Sequence, residues 1–257
     1  MAVVGRALME ARALITAIDA QDERAWETFL SLAPMLDAAV GAAWCLIGAQ
    51  MVRVHAARRD AQPLRLTRDL DILGDVRVRQ RATNLISDVL AGQDFALDEP
   101  SPLGTAHRFR RGVGADEVVI DVLAPDGLGS RTVPTTIGNA KTANVPGGTL
   151  ALGTAGEADI ELRRIDGSSI SGRIRIPSLA GAVGIKAYAV AVSDAPSDQL
   201  DDLILLLSLV DDPSEIAAEL KGSALKQLRR VAARVEARAG SDSRSLDSVG
   251  VLRAILD

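Results

Sequence analysis

The chain has 257 residues, 47% of them hydrophobic and 25% charged, which is ordinary globular composition with room for one large domain or two modest ones. A net charge of −5 argues against a generic nucleic-acid coat, and a single cysteine, Cys45, excludes an internal disulfide and any multi-cysteine zinc site. The longest apolar run, Leu203 to Val210, falls far short of the ~20 residues that span a bilayer, and Arg6, Glu10 and Arg12 break up any N-terminal signal core, so a cytoplasmic protein without membrane contact is expected.

Residues 2–38 read as helical, with Ala, Leu and Ile at three- and four-residue spacing, a break near Asp19–Gln21, and Trp26, Phe29 and Leu32 on one buried face. Trp44 to Ile47 reads as a buried strand that turns at Gly48 into a helix from about Ala49 to Arg59, stopped by Pro63. Leu70 and Ile72 alternate with Asp69 and Asp71, the period of a strand with one wet face. Residues 77–91 suit a helix. His107–Arg111 and Glu117–Leu123 suit paired strands joined across Gly112–Gly114. From Ala124 to Gly172 the Gly-, Thr- and Ser-rich composition suggests loops and hairpin strands, at Ile160–Leu162 and Ile170–Ile176, that extend or cap the sheet. Ser178 is the expected N-cap of a helical remainder at about 179–192, 198–211, 213–237 and 245–256. The expected class is α+β: a helical segment over 1–38, a mixed sheet flanked by helices over 39–177, and a helical region over 178–257.

Chemistry concentrates on three acids. Asp69 and Asp71 leave one face of their strand, roughly 6.6 Å apart along it, and such a pair is costly without a cation. Asp121 interrupts the apolar run Val118–Leu123, where an unpartnered acid is expensive to bury. Placing the two strands side by side would make a three-carboxylate cup of hard oxygen donors suited to two Mg²⁺, with Mn²⁺ as the alternative ion. Taken singly, an Asp-x-Asp on a strand is more often a solvated sheet face, and Asp121 alone a strand-end acid.

In order, Leu46-Ile47-Gly48-Ala49-Gln50, Arg65-Leu66-Thr67-Arg68-Asp69-Leu70-Asp71-Ile72 and Val119-Ile120-Asp121-Val122-Leu123 resemble the DNA polymerase β-like nucleotidyltransferases. The branch they look most similar to is the AbiEii/MenT-type toxin group, over roughly residues 40–210. The resemblance implies the polymerase β-like mixed sheet, metal on Asp69, Asp71 and Asp121, and an NTP whose phosphates meet Gly48 and Ala49 at a helix N-terminus. Arg65 and Thr67 match its R-x-T element, and Arg65 would neutralise the acids or grip phosphate. Ala49 departs from the usual glycine or serine and offers its N–H but no hydroxyl. Lys186, one of only four lysines, would contact the nucleotide phosphates. On the next helix Asp198 and Asp201 fit the family's spacing of acids, while Asp202 before Leu203 fits the hydrophobic phase and is preferred; all three also suit a solvated helix start.

The expected activity is metal-dependent transfer of NMP from an NTP, with release of pyrophosphate. The resemblance implies a tRNA 3′ end as acceptor, in a toxin–antitoxin pair with an antitoxin protein as partner. The alternatives are a small-molecule or protein acceptor, or a non-catalytic module that retains the fold. Other signals weigh less. His107–Arg111 reads as a nucleic-acid contact or as an edge strand protected by charge. His55 reads as packing or surface, Cys45 as buried and inert, and Arg229, Arg230, Arg234 and Arg238 as a solvated basic face rather than an RNA surface.

Overall fold

The computed structural model describes residues 12–62, 67–102, 104–193, 195–239 and 243–257, and for 243–245 the backbone alone. Among these residues the fold is α+β, with nine α-helices and two mixed sheets. Strand β1 (Ala13–Thr16) leads to helix α1 (Ala20–Val40) and strand β2 (Trp44–Ile47) to α2 (Gly48–Ala57). Next come β3 (Leu70–Gly74), α3 (Ala82–Ala91), β4 (Ala96–Leu97), β5 (Arg108–Arg111) and β6 (Val118–Pro125). After β7 (Asn144–Val145) and the short α4 (Gly148–Gly153), strands β8 (Gly156–Arg163) and β9 (Ser169–Ile176) form a hairpin. Helices α5 (Leu179–Val192), α6 (Pro196–Ser208), α7 (Pro213–Glu219), α8 (Ser223–Arg238) and α9 (Ser243–Leu256) complete the chain.

The larger sheet runs β2–β3–β6–β5–β4, with β7 pairing the far end of β6. Its centre is parallel, β3 against β6, and β2, β5 and β4 add antiparallel. Every residue of β6 is buried, which is why the run reads as continuously apolar apart from Asp121. The smaller sheet, β1–β8–β9, meets the larger where β9 lies against β2.

Helix α1 lies against both sheets and α3. Asp19 caps it by accepting from the Asp22 N–H at 2.9 Å, so the break seen in the sequence is a helix start. Its buried stripe of Trp26, Phe29 and Leu32 forms as expected, and Phe29 stands edge-on to both Trp26 and Trp44. Deeper in, the Arg53 guanidinium takes both oxygens of Asp22, at 2.6 and 2.9 Å, and the Thr16 carbonyl at 2.7 Å. That pair ties α2 to α1 and β1, and so fixes the helix whose first turn faces the acids.

Four expectations change. Residues 13–16 are a strand rather than helix: Ala13 and Ile15 are buried while Leu14 and Thr16 point out, the period of two, and the partner β8 is too distant in sequence for local pattern to reveal. The β8–β9 hairpin builds the second sheet with β1 instead of extending the first. The helix expected over 77–91 begins only at Ala82, because Asp75 captures the Arg77 N–H and guanidinium in a turn and Arg81 sits at φ +61°. The helix expected over 213–237 divides at Gly222, φ +58°, into α7 and α8. Residues 2–11 lie outside the described part, as does Pro63.

The C-terminal helices surround α5, which is apolar on every side and packs against α4, α6, α7 and α8. Ser178 caps α5 as expected, accepting from the Gly181 N–H at 3.0 Å. No helix among the described residues is long and apolar enough to cross a membrane.

Candidate functional site

Strands β3 and β6 bring two of the acids face to face. In their parallel register Asp71 is the Cα partner of Asp121, and Leu70 and Ile72 partner Ile120 and Val122. Register partners on neighbouring strands share a sheet face about 4.8 Å apart, so both carboxylates project together while the alternate apolar residues fill the core behind them. Asp69 precedes β3 by one residue and is half-exposed at the rim.

On the other side of Asp71 lies the β2–α2 turn. Ile47 is the antiparallel partner of Asp71, and the chain passes from strand to helix within one residue, Gly48, at φ +73°. A side chain at Gly48 would place its Cβ 1.8 Å from Asp71 Oδ2, so both the conformation and the close approach require glycine. Helix α2 has no side-chain cap and no acid in its first turn. Its free N–H groups and positive dipole end are therefore beside the Asp71 carboxylate, and Ala49 is buried in that first turn.

The third wall is β5, antiparallel to β6, with Arg108 opposite Asp121. The Arg108 guanidinium clasps Asp121 through Nε to Oδ1 at 2.9 Å and Nη2 to Oδ2 at 2.8 Å, and Nη2 also reaches Asp69 Oδ2 at 3.5 Å. Burial pushes the Asp71 carboxyl up from 3.8 to about 7, and the Asp121 charge pushes the same way, while Lys186 pulls it down. Hydrogen bonding to Asp121 pushes Arg108 up in turn.

Lys186 comes from the otherwise apolar α5 and is buried. Its Nζ donates to Asp202 Oδ2 at 2.8 Å and to Gln199 Oε1 at 2.9 Å. The placement separates the three helix acids. Asp202 is buried against Lys186, Asp201 faces outward in a two-pronged pair with Arg238, and the Asp198 charge acts on that same Arg238. The Thr67 carbonyl accepts from buried Gln50 at 2.7 Å, which ties the approach to β3 onto α2. Arg65 lies outside the described residues.

Asp71 and Asp121 offer hard oxygen donors on one sheet face with Asp69 at the rim, a donor type that suits a divalent cation. As they stand, no three His, Cys, Asp or Glu side chains among the described residues are grouped closely enough to hold one. Both oxygens of Asp121 are instead engaged by Arg108. A separate cavity of about 440 Å³ opens at the far end of α2, lined by His55, Arg58, Arg59, Pro177 and Asp211 among others, and contains none of the three acids.

Sequence reasoning missed Arg108 and Gln199 as partners in the site. The edge-strand reading of His107–Arg111 is corrected, because β5 is paired on both sides, by β6 and β4. Arg108 and Arg110 share the face of Asp121, while Arg111 turns to the other side and donates to Thr28 Oγ1. His55 is buried, its Nε2 3.1 Å from the Pro177 carbonyl, and burial lowers it to about 3. Cys45 is buried with its thiol pushed up by desolvation. In the basic stripe of α8, Arg229, Arg234 and Arg238 bond to Leu256, Val190 and Asp201 of this chain. No protein-family model, curated protein or solved structure matches the chain.

Proposed function

We propose that this protein is a metal-dependent nucleotidyltransferase of polymerase β-like fold, which moves an NMP from an NTP to an acceptor hydroxyl and releases pyrophosphate. The observation that carries the reading is the register match of Asp71 with Asp121, directly beside a glycine-started helix N-terminus.

Asp69, Asp71 and Asp121 are the residues that would hold the metal. Mg²⁺, when bound, neutralises the triphosphate and the charge that builds on it during transfer. The uncapped first turn of α2, through Gly48 and Ala49, receives phosphate oxygens on backbone N–H groups. Lys186, held by Asp202 and Gln199, brings its charge to bear on Asp71 and would meet the phosphates. Asp121 accepts the proton of the acceptor hydroxyl as its oxygen bonds to the α-phosphorus, and the bond from that phosphorus to the bridging oxygen breaks as pyrophosphate leaves.

The acceptor we infer is a tRNA 3′ end, with an antitoxin protein as partner; this rests on the sequence resemblance alone. Incubating the protein with each labelled NTP, Mg²⁺ and total RNA tests the reading. Label should enter RNA and be lost with Asp69→Ala. Label on a small molecule or on protein instead would move the acceptor class and keep the enzyme. The clasp of Arg108 on Asp121 favours a second reading, a non-catalytic module that retains the fold. Absence of Mg²⁺-dependent NTP binding would select that one.

A further inference from the structure

We propose that Arg108 is a built-in counter-ion of the carboxylate cup, which a divalent cation must displace from Asp121, so that Arg108 rather than the acids alone sets how readily the free protein takes up metal. The inference rests on the nucleotidyltransferase reading of the same site.

Asp71 and Asp121 are register partners on one sheet face, Asp69 lies at the rim, and Asp121 is 6% exposed. A buried acid without a partner is costly, and like charges beside it add to the cost. Lys186 donates to Asp202 and Gln199 rather than to Asp121. Arg108 partners Asp121 with a planar fork that takes both its oxygens, while the same Nη2 leans toward Asp69. Two of the three acids are thus bridged by one guanidinium, on the carboxylates that would hold a metal.

A cation arriving on those oxygens meets a fixed positive charge within hydrogen-bond distance of them, and the two repel. Unlike Lys186, Arg108 has somewhere to go: its side chain is 38% exposed, so the guanidinium can swing into water or onto the phosphates of a nucleotide that enters with the metal. Metal and nucleotide would then load together, the triphosphate drawing off the guanidinium as the metal takes its place. Arg110 supplies the control. It lies on the same strand and face two residues away, but pairs with Asp98 and Glu117 instead of the cup.

Mn²⁺ binding to the nucleotide-free protein, followed by electron paramagnetic resonance, separates the possibilities. Arg108→Gln should bind Mn²⁺ at least about tenfold more tightly than wild type, because two charge-assisted hydrogen bonds no longer have to be given up. Arg110→Gln removes the same charge from nearly the same place and should change affinity by about threefold or less. Arg108→Lys, which keeps the charge and loses the fork, should fall between, and carries the test if the glutamine variant fails to fold. Equal tightening in the Arg108 and Arg110 variants would overturn the proposal and leave the nucleotidyltransferase reading standing, as would weaker binding in Arg108→Gln. Absence of Mn²⁺ binding in wild type and variants alike would sink both.

Discussion

Ionising Asp71 in the folded protein costs stability, and the cost can be measured. Its carboxyl lies at about 7 in the folded protein against 3.8 ordinarily, with burial the main cause and Asp121 the next. Below about pH 3 the group is protonated in folded and unfolded chains alike and contributes nothing. As pH rises the unfolded chain releases the proton first, so the folded state loses stability progressively, and the full penalty is reached above pH 7. A gap of about three pH units at ~1.36 kcal/mol each gives about 4 kcal/mol, and partial solvent contact of the side chain reduces this to about 2 kcal/mol. Asp71→Asn removes the charge at almost constant shape. In chelator at pH 8 the variant should melt about 4–8 °C above wild type, at ~2–4 °C per kcal/mol for a domain of this size. At pH 5 the gain should shrink to about a third, since most of the interval between the two values then lies above the working pH. A variant that melts at or below wild type at pH 8, or whose advantage is equal at the two pH values, would show that ionised Asp71 does not destabilise the fold.

Lys186→Met should destabilise the protein by about 3 kcal/mol, because the buried Asp202 carboxylate loses the ammonium that donates to its Oδ2, and pairing the change with Asp202→Leu should restore most of the loss in thermal melts. Asp201→Asn, which breaks only a surface pair with Arg238, should shift stability by about 1 kcal/mol or less and leave label transfer intact, whereas Asp202→Asn should abolish transfer. Gly48→Ala should cost about 1–2 kcal/mol for the left-handed conformation alone and should also displace the Asp71 carboxylate, so Mg²⁺-dependent NTP binding should disappear while circular dichroism still reports a folded chain.

Much of this arrangement was legible in the sequence. Alternation placed Asp71 outward and Leu70 and Ile72 inward, and an acid stranded in an apolar run marked Asp121 as needing a partner. Trp44–Ile47 followed by a lone glycine read as a strand entering a helix, which it is. Arg108 was within reach as well: folding the 107–123 hairpin about its glycine turn sets Arg108 opposite Asp121, so the pair could have been found by counting across the turn. Other features needed tertiary contacts. Strand β1 is only four residues long and owes its conformation to β8, 147 residues later at the Ala13–Ile160 pair, so helical spacing around it prevailed in a local reading. The choice among Asp198, Asp201 and Asp202 turned on which face of α6 meets Lys186, a matter of helix packing that spacing alone does not decide.

Titration of each NTP onto the nucleotide-free protein by calorimetry, with and without Mg²⁺ and repeated on Asp121→Asn, addresses the claim beneath all of these. Saturable binding that requires Mg²⁺ and is lost in the variant is the expected result. Binding that is indifferent to Mg²⁺, or that survives intact in Asp121→Asn, would contradict it.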